Sequence, residues 1–338
     1  MRYYLYFITF IIFLSMVKYC GAQVDPHFSQ YYAYPLYLNP AFTGVIDGDY
    51  RAAAIYKNQW VSIGKPYSTT GISLDMTTNA DLNLGLTIFS QTAGDGGYRY
   101  TQGTFSLAYQ GLRLDDDGYK RIIIGIQIGF INRRFDPSKL RFGDQWTPNL
   151  RIDPNISTTE IFSQMSASAF DAAAGISYSD DDPQKNANVY GGFSMNHLTK
   201  PIDPFLVSGD KRKLPYRYTY YAGVKIKLSD NASVTPNLIY MRQGNAEERM
   251  LGAYLQRGTN NPNLDVMAGA SFRYKDALVP YAGLKYNNLQ LGVSYDATMS
   301  TLGTAVPFTN SIELSVSITG KRKNNDRQHQ YYSCPPRF

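Results

Sequence analysis

Cysteine, histidine, charged residues and long apolar runs are all scarce in this 338-residue sequence. Its 2 cysteines exclude a small fold held together by disulfides. Charged residues make up 18% of the chain, against roughly 25% in soluble domains. Beyond the extreme N-terminus no apolar run approaches the roughly 18 residues that a membrane-spanning helix needs, which excludes helical spanning for most of the chain. The sequence has instead 29 tyrosines and 14% aromatic residues, a content that argues against intrinsic disorder.

The first 22 residues have the three parts of an export signal. Arg2 supplies a positive charge, residues 5–17 form an almost continuous apolar stretch, and the small residues around Ala22 form a cleavage site. We therefore expect cleavage after Ala22, which makes Gln23 the first residue of the mature chain. The alternatives are an uncleaved anchor helix and lipidation of Cys20. The large residues just before Cys20 disfavour lipidation, because lipoprotein signals have small residues there.

Loss of this signal removes Arg2 and Lys18 and no acidic residue, so the formal net charge falls from +6 to +4. Much of that excess lies in a polar tail, residues 321–338. No dense basic stripe or recognisable nucleic-acid module is present, and we expect no nucleic-acid partner. The mature chain retains one cysteine, Cys334, which excludes an internal disulfide and leaves either an idle thiol or an intermolecular one.

From about residue 50 onward, apolar and polar residues alternate in segment after segment. This period of two predicts β-strands, and about 14 of them can be counted. The predicted strands are longer than the five or six residues usual in soluble sheets and match the roughly 9 to 11 residues that cross a bilayer. They span residues 50–59, 68–78, 82–92, 98–112, 120–134, 168–178, 187–197, 216–228, 232–242, 247–256, 264–274, 278–286, 289–296 and 310–319.

The predicted connections differ in length in a regular way. The longest ones, residues 135–167, 198–215 and 297–309, all follow odd-numbered strands, and compact turns follow the even-numbered ones. Outer-membrane barrels have short periplasmic turns and long outer loops, with both termini periplasmic. We therefore predict an all-β fold, a transmembrane antiparallel β-barrel over residues 50–320. A soluble β-sandwich rich in tyrosine is the alternative that alternation alone leaves open.

Residues 23–49 lie between the signal and the first strand and have a different character. Pro26, Pro35 and Pro40 argue against a regular helix or a central strand, while the density of aromatic residues indicates burial. Irregular backbone is tolerated at membrane depth only when protein encloses it. We therefore predict that this segment is a plug or latch inside or under the barrel.

The run from Asp25 to Gly44 reads D-P-x-F-S-Q-Y-x-x-x-P-L-x-x-N-P-A-x-x-G. It resembles the PorP/SprF family of the type IX secretion system of Bacteroidota, and residues 291–296, residues 311–315 and the Cys-Pro near the C-terminus are similar to that family as well. The resemblance implies an outer-membrane barrel that helps to export cargo adhesins or to hold them at the cell surface. It makes these residues candidate plug or partner contacts: Asp25, Pro26, Phe28, Ser29, Gln30, Tyr31, Pro35, Leu36, Asn39, Pro40 and Gly44.

The same resemblance implies partners among the secretion proteins: the translocon, periplasmic ring or peptidoglycan-binding components, and the C-terminal domain of secreted cargo. Outer-membrane lipid is a further expected partner. We expect the tail to hang in the periplasm, with Cys334, Arg337 and Phe338 as candidate contacts.

No catalytic or metal-binding pattern is found in the sequence. His27, His197 and His329 occur singly, without the cysteine or carboxylate spacing of a zinc site, and are interpreted as polar loop or strand-end residues. A hydrolase site at Ser194 and His197 would need geometry that sequence proximity does not provide. We therefore expect a non-enzymatic protein without a cofactor.

The alternative function is an outer-membrane solute channel or FadL-like transporter, in which residues 23–49 form a movable gate. Three inward-facing cations, Arg217, Lys225 and Lys227, are compatible with a pore lining. Salt bridges in a filled lumen, with acidic neighbours such as Asp265, explain the same three residues.

Overall fold

The structure, a computed structural model, describes residues 25–60, 65–78, 81–94, 96–147, 149, 152–153, 156–160, 165–202, 213–300 and 309–322. The predicted signal and its cleavage site lie outside the described residues. So do the candidate tail contacts Cys334, Arg337 and Phe338.

Fourteen strands form one closed antiparallel barrel, which confirms the predicted fold. Each strand pairs with its neighbours in sequence, and β1 closes the barrel against β14 from Tyr50↔Gly320 to Gln59↔Ser311. Every strand boundary lies within two residues of its predicted position. The strands are β1 (Tyr50–Gln59), β2 (Tyr67–Thr77), β3 (Leu82–Ala93), β4 (Tyr98–Arg113), β5 (Lys120–Arg134), β6 (Ser166–Asp180), β7 (Ala187–Asn196), β8 (Arg217–Ser229), β9 (Ala232–Gln243), β10 (Ala246–Gly258), β11 (Leu264–Arg273), β12 (Ala277–Tyr286), β13 (Leu289–Thr298) and β14 (Ser311–Gly320).

The two faces of the sheet have the polarity of a membrane barrel. In β14 the side chains of Leu314 and Ile318 point outward and are 49% and 48% exposed, whereas Ser311 and Glu313 point inward and are buried. Apolar residues thus face outward and polar residues face the lumen, the reverse of a soluble sandwich. This arrangement decides between the two all-β folds that alternation left open.

Among the described residues, no helix is both long enough and apolar enough to cross a membrane.

The connections place all the long loops at one end of the barrel. Residues 135–165, 197–216 and 299–310 join β5 to β6, β7 to β8 and β13 to β14. The turns after β8 and β12 have only two residues each. We refer to these two ends as the long-loop end and the short-turn end; β1 begins and β14 ends at the short-turn end.

The chain before β1 contains only short helical turns. A four-residue helix, α1 (Pro35–Leu38), is flanked by 3₁₀ turns at Tyr31–Ala33 and Pro40–Phe42. Prolines argued against a regular helix, and here Pro35 and Pro40 each occupy the first position of a single turn. Proline is well tolerated there, because the N–H that it lacks would have no partner inside the helix.

Candidate functional site in the barrel lumen

Residues 25–49, called the lumen segment below, lie inside the barrel. Because the sheet is closed, a segment that contacts strands on every side must be within the lumen. Its hydrogen bonds run from Gly44 to Asp75 of β2, from Thr43 to Ser106 of β4, from Asn39 to Phe193 of β7, from Tyr31 to Asn237 of β9 and from Gln30 to Ser294 of β13.

The lumen segment runs from the long-loop end to the short-turn end. Near its start, Asp25 lies 2.6 Å from His197, which follows β7, and 3.2 Å from Arg217, the first residue of β8. At its other end, the N–H of Asp49 donates to the carbonyl of Gly320, the last residue of β14, at 2.7 Å. In barrels of this kind both termini are expected at the end with the short turns. Asp25, the first described residue, lies instead at the long-loop end, because the segment traverses the lumen before β1 begins.

Aromatic side chains fill the lumen around this segment. Tyr37 stacks on Phe89 with ring centroids 5.0 Å apart, and Phe28 contacts the same ring edge-on at 5.9 Å. The hydroxyl of Tyr34 donates to the carbonyls of Ile72 at 3.2 Å and Ile88 at 2.9 Å. The strands that form the barrel wall and the lumen segment therefore share one hydrophobic core. Burial of such side chains contributes on the order of 2 kcal/mol each.

Asn39 joins the lumen segment to strands β6, β7 and β8. Its Nδ2 donates to the carbonyl of Ile176 at 3.1 Å and to the hydroxyl of Tyr221 at 3.0 Å, while its Oδ1 accepts from the N–H of Ala41. A Cβ at Gly175 would collide with this Asn39 side chain. Glycine in β6 thus makes room for the segment.

The histidine cluster, defined as Asp25, Asp171, His197 and Arg217, holds the start of the segment. His197 lies between two carboxylates, 2.6 Å from Asp25 and 2.8 Å from Asp171. Burial lowers the pKa of His197, but these carboxylates more than offset it and raise that pKa to about 9. Burial likewise raises the pKa of Asp25, but His197 and Arg217 outweigh it and hold that pKa below its usual value. His197 is therefore a buried cation at neutral pH.

The Glu313 cluster consists of Lys57, Arg273, Asp296 and Glu313, and it holds the next residues. Glu313 accepts from the N–H groups of Ser29 at 2.7 Å and Gln30 at 2.9 Å. Lys57 lies 2.8 Å from Glu313, and Arg273 lies 2.8 Å from Asp296. None of these two cations and two carboxylates is more than 4% exposed, and Arg273 also pairs with the half-exposed Asp276.

The Asp75 cluster, formed by Arg51 and Asp75, holds the segment at the short-turn end. Arg51 donates to both oxygens of Asp75, at 3.0 and 2.8 Å. Asp75 also accepts from the N–H of Gly44 at 2.8 Å. Gly44 has φ +71°, and a Cβ there would collide with Asn83. Glycine is required by both its backbone conformation and this contact.

All eleven candidate residues of the segment are buried within the lumen. Seven contact side chains of the strands or of His197 directly, as described: Asp25, Phe28, Ser29, Gln30, Tyr31, Asn39 and Gly44. Of the others, Pro35 and Pro40 begin helical turns, and the carbonyl of Pro26 accepts from the Tyr37 hydroxyl at 2.7 Å. Whether these residues close the barrel or contact a partner stays a prediction.

Sequence reasoning missed most wall partners of the segment. His197 was interpreted as an isolated polar residue, yet its two ring nitrogens contact carboxylates from residues 25 and 171. Asp296 and Glu313 do lie in the two strand patches that resemble the secretion family. Their charge on the polar face of a strand was the available signal, because a charge that points inward must find a partner.

The short-turn end holds an open polar cavity of about 1110 Å³. Lys225 and Lys227 of β8 and Asp265 of β11 line it, so these side chains face the lumen as predicted from alternation. Lys227 pairs with Asp230 at 3.1 Å, and Asp265 accepts from Gln256 at 2.8 Å. Arg217, the third inward cation, belongs to the histidine cluster. Across the described ranges, no group of histidine, cysteine, aspartate and glutamate could hold a metal ion.

Comparison with solved structures identifies similar barrels. The Ralstonia pickettii toluene transporter TbuX matches with 10% identity and a TM-score of 0.50, over 85% of this chain and 92% of that one. The monoaromatic hydrocarbon channel CymD matches with 11% identity and a TM-score of 0.48, over 85% and 91%. The P. putida toluene transporter TodX matches with 10% identity and a TM-score of 0.47, over 84% and 93%. At such identities the likeness shows the fold alone.

Sequence comparison identifies the family. No curated protein sequence matches the chain. The family model described as "Type IX secretion system membrane protein PorP/SprF" matches residues 20–318, which include the lumen segment and nearly all of the barrel. The chain belongs to the PorP/SprF family of type IX secretion system membrane proteins.

Proposed function

We propose that this protein is a non-enzymatic component of the type IX secretion and gliding machinery in the outer membrane. It helps to export cargo adhesins, or to attach them to the cell surface, through protein–protein contacts. Family membership supports the machinery. The observation that carries the non-transport role is the filled lumen, which the lumen segment crosses from Asp25 to Asp49 between three buried charge clusters.

The barrel is oriented with its long loops outside the cell and its short turns in the periplasm. Residues 1–22 are the signal, cleaved after Ala22, and the lumen segment acts as the plug. The long loops are available to the C-terminal domain of cargo. On the periplasmic side, the tail contacts the ring, peptidoglycan-binding or translocon proteins through Cys334, Arg337 and Phe338.

A second candidate function is solute transport, with the lumen segment as a gate. The barrel likeness to the toluene transporter TbuX favours it. Opening such a gate would separate Ser29 and Gln30 from Glu313, and Asp25 from His197. The first separation leaves two backbone N–H groups without their acceptor. The second takes the Asp25 carboxylate away from its buried cation, at a cost of several kcal/mol. We therefore rank transport second.

Deletion of the gene, with complementation by the intact gene as control, tests the proposed function. Surface adhesins are counted by labelling intact cells, and uptake of small hydrophobic solutes is measured in the same strains. Loss of surface adhesin with unchanged uptake is the expected result. Unchanged adhesin with reduced uptake would contradict the proposal.

Purified protein in a planar bilayer provides the complementary test. A filled lumen predicts conductance close to that of the protein-free bilayer. Steady, robust conductance would favour the channel, because it requires a continuous water path past the lumen segment.

A further inference from the structure

The outward face of the barrel has an aromatic surface at the long-loop end of β7 to β9. Phe193 lies 4.8 Å from Tyr220, which lies 6.1 Å from Tyr240, measured between ring centroids. Tyr216 and Tyr218 extend this surface towards the β7–β8 loop, with centroids 6.0 Å apart. The side chains within the strands point away from the lumen, because they alternate with buried, inward-facing residues: Ser194 in β7, Tyr221 in β8 and Ile239 in β9.

Cations border the same surface. The Nζ of Lys200 lies 4.2 Å from the ring centroid of Tyr216. The guanidinium of Arg249 lies 5.9 Å from the ring of Tyr240. Arg242 lies on the outward face of β9, and its Nε donates to the carbonyl of Gly244 at 3.3 Å. The positive charge is thus concentrated at the rim of an aromatic surface.

A groove of about 480 Å³ lies between these groups, and Lys200, Tyr216, Tyr220, Tyr240 and Arg242 belong to its lining. The groove therefore has two cations, Lys200 and Arg242, near the long-loop end. The rings of Tyr220 and Tyr240 line the part closer to the middle of the strands.

The nearby acidic group does not neutralise this site. Glu247 is paired with Arg249 through both carboxylate oxygens, at 2.9 and 3.0 Å. Arg242 lies opposite Glu247 in the register of β9 and β10, but among the described residues no salt bridge joins Lys200 or Arg242 to a carboxylate. The carboxylate of Glu247 offsets the charge of Arg249, so Lys200 and Arg242 give the groove a net positive charge.

We propose that this groove binds a phosphorylated glycolipid of the outer leaflet, with a phosphate at Lys200 and Arg242 and acyl chains against Tyr220 and Tyr240. Tyrosine is favoured at the membrane–water interface, because its ring is apolar and its hydroxyl forms hydrogen bonds with water. A cation near a membrane surface attracts an anionic headgroup, and cation–ring stacking holds the side chain in place. The inference rests on the proposed orientation, with the long loops outside, and not on the role in secretion.

The test uses the full-length protein in neutral-lipid nanodiscs, with diphosphorylated lipid A added as the probe and binding measured by native mass spectrometry. The double variant Lys200→Ala/Arg242→Ala should lose about 30-fold in affinity, because each cation near the surface contributes about 1 kcal/mol. Lipid A without phosphates should bind the wild type as weakly as the intact lipid binds the double variant.

The control is Arg257→Ala, since Arg257 is an exposed outward cation at the short-turn end of β10. Arg257→Ala should bind like the wild type. Equal affinity of the double variant and the wild type would overturn the proposal, as would an equal loss in Arg257→Ala. Displacement by millimolar inorganic phosphate, or equal binding of phosphatidylglycerol, would also overturn it, because the site would then recognise any phosphate.

If the double variant does not fold, Lys200→Gln/Arg242→Gln is used instead, because it keeps the side-chain bulk. The same loss of affinity for lipid A is then expected. Loss of lipid A binding is independent of adhesin export. A failed secretion assay with normal lipid binding would therefore refute the proposed function and leave this site standing.

Discussion

The backbone N–H of Ser29 donates to Oε1 of Glu313 at 2.7 Å, although 284 positions separate the two residues in sequence. The other oxygen of the same carboxylate accepts from the N–H of Gln30 at 2.9 Å. One buried side chain of β14 thus satisfies two backbone donors of a segment that has no strand partner. Lys57 lies 2.8 Å from that carboxylate and balances its charge. The last strand of the barrel therefore holds the segment that precedes the first.

Glu313→Gln should destabilise the protein strongly. The change removes the carboxylate that lies 2.8 Å from the buried Lys57 and leaves Lys57 with Asp296 at 3.4 Å. Breaking a buried charge pair costs roughly 3 to 5 kcal/mol. Urea unfolding in lipid vesicles measures the free energy of unfolding. Glu247→Gln is the matched control, since its pair with Arg249 is exposed and screened by solvent, so its loss should change the free energy of unfolding far less. Equal effects of the two substitutions would show that the Glu313 cluster does not hold the segment.

Gly175→Ala should dislodge the segment near Asn39. The added methyl group collides with the Asn39 side chain, and overpacking of this kind costs about 1 to 3 kcal/mol. At Gly103, by contrast, an added Cβ meets nothing within 4 Å, so Gly103→Ala serves as the control. Asn39→Ala combined with Gly175→Ala should recover part of the loss in a double-mutant cycle. A purely additive cycle would contradict the contact.

The histidine cluster predicts a loss of stability at alkaline pH. The pKa of His197 is raised to about 9 in the folded protein, against about 6.5 when unfolded. Its stabilising effect is therefore complete below about pH 6.5 and disappears as pH rises through about 9, with a total of about 3 kcal/mol. Between pH 7 and 10 the wild type should lose more unfolding free energy than His197→Gln does. Parallel pH profiles of the two proteins would rule out a charged His197.

Deletion of residues 321–338 should spare membrane insertion and impair cargo export. Insertion is measured by heat-dependent migration of the barrel in gels, and export by surface adhesin. Arg322 donates its N–H to Asp49 at 2.6 Å, so a second deletion of residues 323–338 keeps this hydrogen bond and serves as the control. If both deletions abolish insertion, the tail serves assembly rather than export.

The barrel was predictable because its signal is local. Each strand places alternate residues on opposite faces, so Leu314 and Glu313 reveal their faces within a few positions of sequence. Strand number, boundaries and the side of the long loops follow from that period and from turn residues, and the structure confirms them.

The contacts of the lumen segment were not predictable in the same way. The patches at residues 291–296 and 311–315 stood out beside the run from Asp25 to Gly44, but nothing in the sequence related them to it. In the barrel, Asp296 and Glu313 from these patches meet Ser29. His197, interpreted as isolated, lies between Asp25 and Asp171 for the same reason: side chains far apart in sequence become neighbours only when the sheet closes.

The sequence by itself determined the strands and the side of the long loops, and it favoured a barrel with apolar residues outside, since period-two alternation and the length of turns act between near neighbours. Exposure of Leu314 and burial of Glu313 in the structure then excluded the soluble sandwich. It also indicated that the segment before β1 is buried, because aromatic residues there need an apolar environment. Only the tertiary structure decided the direction of that segment and the residues that hold it. Closure of β1 on β14 encloses charges in a small volume, where each must find a partner of opposite sign, and the pairing depends on positions that no local pattern encodes.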